Sequence, residues 1–118
     1  GAIAERLDRW SQLSADLDRP LTIGEVGYRA SPDNAETPYA WPERADEEGR
    51  TVDQEAQRRA YLALFRALAA IDTLESVYVW KYFTDADTDE RHPWGFSPRG
   101  YDAEAVLERA YAPPDAGE

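Results

Sequence analysis

At 118 residues the chain has room for one domain at most, whose compact body would bury roughly two thirds of the unfolded surface. Its 24 acidic and 13 basic residues give a net charge of −11, a field that repels phosphate backbones and anionic membranes and argues against nucleic acid as a partner. A 42% hydrophobic, 31% charged composition belongs to a folded chain rather than an acidic tail, and the absence of cysteine excludes disulfides and thiolate metal sites while leaving the compartment open.

Ile3, Leu7, Trp10, Leu13 and Leu17 recur at spacings of three and four, which predicts an opening amphipathic helix closed by Pro20. Leu21 to Val26, LTIGEV, is short and apolar and follows proline, as expected of a strand buried on both faces. Residues 31–50 carry proline, acids and isolated aromatics without period, and form a long loop of the kind that usually serves function. Thr51 with Gln54 makes a capping box, and Tyr61, Leu64, Phe65, Leu68 and Ile71 continue behind it as a second helix. Ser76 to Phe83, SVYVWKYF, is β-branched and aromatic and predicts a second strand. A second loop over residues 84–100 follows, and Asp102 caps a last helix through Tyr111.

The order strand, helix, strand predicts a βαβ unit with parallel strands and a right-handed crossover, so the class is α/β. Two parallel strands leave two open edges and little interior, so further strands are expected from additional sequence or from other copies. The chain contains no methionine and is expected to be an excised piece. No run of about 18 apolar residues is present, so a soluble chain without a membrane span is expected.

Glu25 ends the first strand, where parallel α/β folds gather reactive side chains. A carboxylate there can attack an anomeric carbon; equally, it can be a structural group paired with Arg29. Trp80 ends the second strand at the matching level and offers a flat face to a sugar ring, or else is core. Tyr28 is placed to orient the carboxylate, or to pack. Tyr39 and Trp41 in the first loop, with His92, Trp94 and Phe96 in the second, suit a saccharide cleft or pin the loops. One histidine supports neither a metal cluster nor a serine triad, and Asp85, Asp87 and Asp89 lack the glycine and glutamate of a calcium loop, so no metal is expected.

The segments PLTIGEVGYRAS, Gln54 to Leu68, VYVWKYF and GFSPRGYDAEAVLERAY resemble the end of the bacterial β-mannanase-like glycoside hydrolases, family 113 of clan A. Tyr101 departs from the family pattern, which has a lysine there. The resemblance implies that residues 1–118 are the last two strands of a partial TIM barrel with their helices, and that residues 31–50 and 84–100 are active-site loops. It implies that Glu25 is the nucleophile of a retaining enzyme acting on β-linked, mannan-like saccharide, with Tyr28 beside it and Trp80 beneath the sugar. In the family the acid/base glutamate comes from strand four, so the isolated chain is expected to be nearly inert. No cofactor is required, and the partners are carbohydrate and the rest of a barrel, from a parent chain or from other copies. The alternative is a non-catalytic carbohydrate-binding or degenerate hydrolase-like module, and a third reading is a purely structural quarter-barrel that self-associates.

Overall fold

A computed structural model describes residues 2–39 and 51–113. The order is α1 (Ala2–Leu17), β1 (Leu21–Val26), α2 (Gln54–Leu68), β2 (Leu74–Val79), α3 (Ala86–Arg91) and α4 (Asp102–Tyr111). The two strands are parallel, with Leu21 opposite Leu74, Thr22 opposite Ser76, Ile23 opposite Val77 and Val26 opposite Val79. The α/β class and the parallel βαβ unit thus stand among the described residues.

The core lies between α2, α4 and one face of this sheet. Tyr61, Leu64 and Leu68 of α2 meet Ala103 and Leu107 of α4 and Leu7 of α1, and Leu21, Ile23, Val26, Leu74, Val77 and Val79 pack against them. The other face is open: Thr22, Gly24 and Glu25 are exposed, and Tyr78 is 60% accessible. The expectation that β1 is buried on both faces is therefore corrected, because the described helices cover only one side of the sheet. The α1 stripe meets the same limit. Leu7 reaches the core, while Ile3, Trp10, Leu13 and Leu17 stay exposed.

Local signals need three further corrections. The cap of α2 is Asp53, whose carboxylate accepts from the Ala56 amide at 2.8 Å, so the Thr51–Gln54 capping box does not form. Asp102 opens α4 but does not cap it; Tyr101 is the cap residue, and the Glu104 carboxylate accepts from the Gly100 amide instead. β2 runs from Leu74 to Val79 rather than from Ser76 to Phe83, because Lys81 turns into the left-handed region at φ 62° and ends the ladder. The acidic run after it caps and opens the short α3, with Asp85 accepting from Asp87 N and Thr88 Oγ1. Among the described residues no helix is long and apolar enough to cross a membrane.

Tyr61 is fully buried, stacked on Phe65 and edge-on to Tyr28, yet its hydroxyl faces the Tyr28 backbone and makes no well-formed hydrogen bond among the described residues. A buried hydroxyl without a partner costs roughly 1–3 kcal/mol. Tyr61→Phe is therefore expected to leave stability unchanged or raise it by up to about 1 kcal/mol in urea denaturation. A loss above about 1 kcal/mol would mean the hydroxyl is satisfied, by water for instance.

Candidate active site

Parallel pairing sets the level of the two strand ends. The Trp80 amide donates to the Val26 carbonyl at 2.7 Å, so the residue that follows β2 lies beside the Glu25–Gly27 end of β1. The contact is close because residue 27 is glycine. A Cβ there would stand 3.2 Å from both Trp80 Cβ and Phe96 Cδ1, and 3.3 Å from the Trp80 carbonyl. Gly27→Ala is accordingly expected to cost about 1–3 kcal/mol through overpacking. It should also shift the tryptophan emission; an unchanged spectrum and midpoint would show that Trp80 and Phe96 can move aside freely.

Glu25, Val26, Gly27, Pro38, Tyr39, Trp80 and Phe96 line one cleft of about 380 Å³, within the range of small-ligand sites. Glu25 and Tyr39 are exposed, and Trp80 is 37% accessible, so a carboxylate and two aromatic faces are reachable together. The Lys81 ammonium sits 5.7 Å from the Trp80 ring centroid and 5.8 Å from that of Phe83, which steadies the indole by a cation–π contact.

Arg29 does not pair with Glu25. Its guanidinium is wholly buried; Nη2 donates to the carbonyl and to Oγ1 of Thr37, both at 2.7 Å, and Nη1 reaches the Asp33 carboxylate at 3.4 Å. Ser31 and Thr37 also donate to Asp33, and these two hydrogen bonds, helped by Arg29, hold its carboxyl well below the usual carboxylate range. This staple fixes residues 29–37, directly before the cleft-lining Pro38 and Tyr39. Glu25 takes part in no ion pair among the described residues.

Tyr28 is half-buried, edge-on to Tyr61 at 5.2 Å, and burial pushes its phenol above the ordinary tyrosine value. With Glu25 it borders a second, apolar cavity of about 220 Å³ beside Ile3, Leu7, Trp10 and Leu64. Among the described residues no hydrogen bond joins it to Glu25. His92 and Trp94 pack edge-to-face at 6.0 Å; Trp94 is buried, and neither lines the cleft. Trp41 lies outside the described residues.

One residue of this region went unnoticed in the sequence. Gln57 in the first turn of α2 is fully buried, and its Nε2 donates to the Tyr28 carbonyl at 3.0 Å and to that of Phe96 at 3.2 Å. Its spacing to Tyr61, Leu64 and Leu68 puts a polar residue on the apolar stripe of α2, and that was the available signal.

Three solved structures share this arrangement of elements. One is a GH113 β-1,4-mannanase in complex, with TM-score 0.73 and 20% identity over 92% of this chain and 34% of that chain. The fold of this chain is similar to that of part of a GH113 mannanase. A second is the β-mannanase AaManA from Alicyclobacillus acidocaldarius in complex with ManMIm, with TM-score 0.73 and 20% identity over 90% of this chain and 33% of that one. Another GH113 β-1,4-mannanase matches with the same score and identity over 94% of this chain and 35% of its own. The chain thus spans about a third of the length of the mannanases it resembles. No protein-family model matches it, and no curated protein matches it by sequence.

Proposed function

We propose that the chain is the carboxyl-terminal part of a retaining (β/α)₈-barrel glycoside hydrolase acting on β-linked mannan-like saccharide, with Glu25 as its nucleophile. The observation that carries this reading is the shared cleft: an exposed carboxylate and a tryptophan at the paired ends of two parallel strands, in a fold shared with β-mannanases. Residues 31–50 and 84–100 are its active-site loops in this reading, on the strength of Pro38, Tyr39 and Phe96 in the cleft lining, with residues 40–50 outside the described residues. The open sheet face and the exposed α1 stripe are then covered by the remaining strands and helices of the barrel.

In this reading the Glu25 carboxylate attacks the anomeric carbon as the bond to the leaving oxygen breaks. A second carboxyl group, about 5 Å away and supplied from outside this chain, gives that oxygen its proton. Water then attacks the glycosyl ester and passes its proton to the second carboxylate, which frees Glu25 and releases the sugar with its configuration retained. Trp80 and Tyr39 face the apolar side of the sugar ring. The Tyr28 phenol, whose burial favours the neutral form, is the donor assigned to Glu25 in the substrate complex. Trp41, which lies outside the described residues, is assigned to substrate binding in this reading, and His92 and Trp94 support the loop that presents Phe96.

The test is covalent trapping. A 2-deoxy-2-fluoro-mannosyl fluoride, incubated with the full-length protein carrying this chain, is expected to leave one fluorosugar on the peptide that contains Glu25. Label on another carboxylate, or turnover without label, would remove Glu25 from the role.

One observation favours a second reading, a carbohydrate-binding or degenerate module: Glu25 is the only acid among the described residues that line the cleft. Mannan oligosaccharides would then change tryptophan fluorescence with no turnover by the full-length protein and no trapping.

A further inference from the structure

The two hydrogen atoms of the Gln57 carboxamide are spent on two different loops. Tyr28 follows the end of β1, three residues after Glu25, and Phe96 belongs to the loop after β2 and forms a wall of the cleft. The amide orientation is fixed by its partners, because two carbonyls can be met only by the NH₂ side. Gln57 is the one side chain of the described residues with hydrogen bonds to both segments. Backbone bonds join the same two segments on either side of it, from the Trp80 amide to the Val26 carbonyl and from the Ala30 amide to the Gly95 carbonyl. Gln57 stands on a helix that is itself anchored in the core through Tyr61, Leu64 and Leu68, so the clamp has a rigid base.

We propose that Gln57 is a positioning residue that sets the separation of the Glu25–Tyr28 strand end from the Phe96 wall, and with it the approach of the Glu25 carboxylate to a sugar seated on Trp80. The inference rests on the reading of Glu25 as nucleophile. Gln57 does not itself line the cleft and takes no part in the chemistry. It fixes where the attacking oxygen stands.

Attack on carbon is sensitive to about an ångström of misplacement, which can cost up to about a hundredfold in rate, whereas stacking on Trp80 tolerates such a shift. Gln57→Met removes both donors at similar volume, and Gln57→Glu keeps the shape but faces two carbonyl oxygens with a carboxylate. In the full-length protein, kcat on a mannan oligosaccharide is expected to fall about ten- to a hundredfold in both variants while KM changes less than about threefold. Circular dichroism of each variant is compared with that of the parent, and Glu25→Ala is assayed in parallel. If at least one Gln57 variant is folded and has the parent kcat, the inference is overturned. The same holds if kcat is kept and only KM rises, or if both variants unfold, since Gln57 would then serve substrate binding or folding rather than alignment. If Glu25→Ala itself keeps the parent kcat, it is the nucleophile assignment that fails, which separates the two failures.

Discussion

Glu25→Gln is expected to lower kcat/KM of the full-length protein on mannan oligosaccharides at least about a thousandfold while leaving its stability within about 0.5 kcal/mol. The two halves of this expectation have different causes. The amide has the shape of the carboxylate but not its nucleophilicity, so the glycosyl ester does not form and double displacement stops at its first step. Stability changes little because Glu25 lines the cleft, which stays open to water and substrate, and is in no ion pair among the described residues. Sugar binding persists, since Trp80 and Tyr39 remain in the cleft, and fluorescence titration should give a similar midpoint for parent and variant.

The shorter Glu25→Ala variant adds a stereochemical check. Azide is small enough to enter the space left by the carboxylate and attack the same face of the sugar. Recovery of activity with azide should yield a glycosyl azide of inverted configuration, because a single displacement replaces the double one. A product of retained configuration would assign Glu25 to the opposite face, as acid/base. Undiminished turnover in either variant would remove it from the chemistry altogether.

How far the sequence carried depends on the range of the interaction concerned. β1 is legible to the residue because Pro20 bounds it and an apolar run fills it. β2 is legible as a strand but not in its ends, because Trp80, Tyr82 and Phe83 have strand propensity while the left-handed Lys81 stops the pairing. The short α3 has no apolar period to reveal it and rests on the Asp85 cap. Glu25 and Trp80 were legible as cleft partners because a parallel ladder brings strand ends to one level. The clamp of Gln57 on Phe96 joins residues 39 apart through a loop carbonyl, and no local pattern announces such a pairing. The sequence offers Arg29 one partner, Glu25, and the structure gives it to the loop beyond instead. The loop has it because Thr37 and Asp33 offer three acceptors within reach of a buried guanidinium.

Arg29→Met is expected to destabilise the protein by about 2–3 kcal/mol in urea denaturation, and to expose the segment around Tyr39 to proteolysis. Removing one member of a buried ion pair typically costs 3–5 kcal/mol, but Asp33 is 40% accessible, and water screens its abandoned charge, which sets the lower figure. What remains is the loss of the two 2.7 Å bonds to Thr37, whose carbonyl is then left without this donor. The pH dependence follows from Asp33. Its carboxyl is depressed in the folded state, so its contribution is complete above the unfolded value near 4 and is lost as pH falls through the lower folded value. The parent should therefore lose an increment of stability on acidification below about pH 4 that Asp33→Asn lacks and that Arg29→Met shows only in part, since Ser31 and Thr37 still donate to the carboxylate. Identical acid profiles for the parent and Asp33→Asn would show that the network does not hold Asp33 ionised. Tyr39 would then need another anchor to reach the cleft.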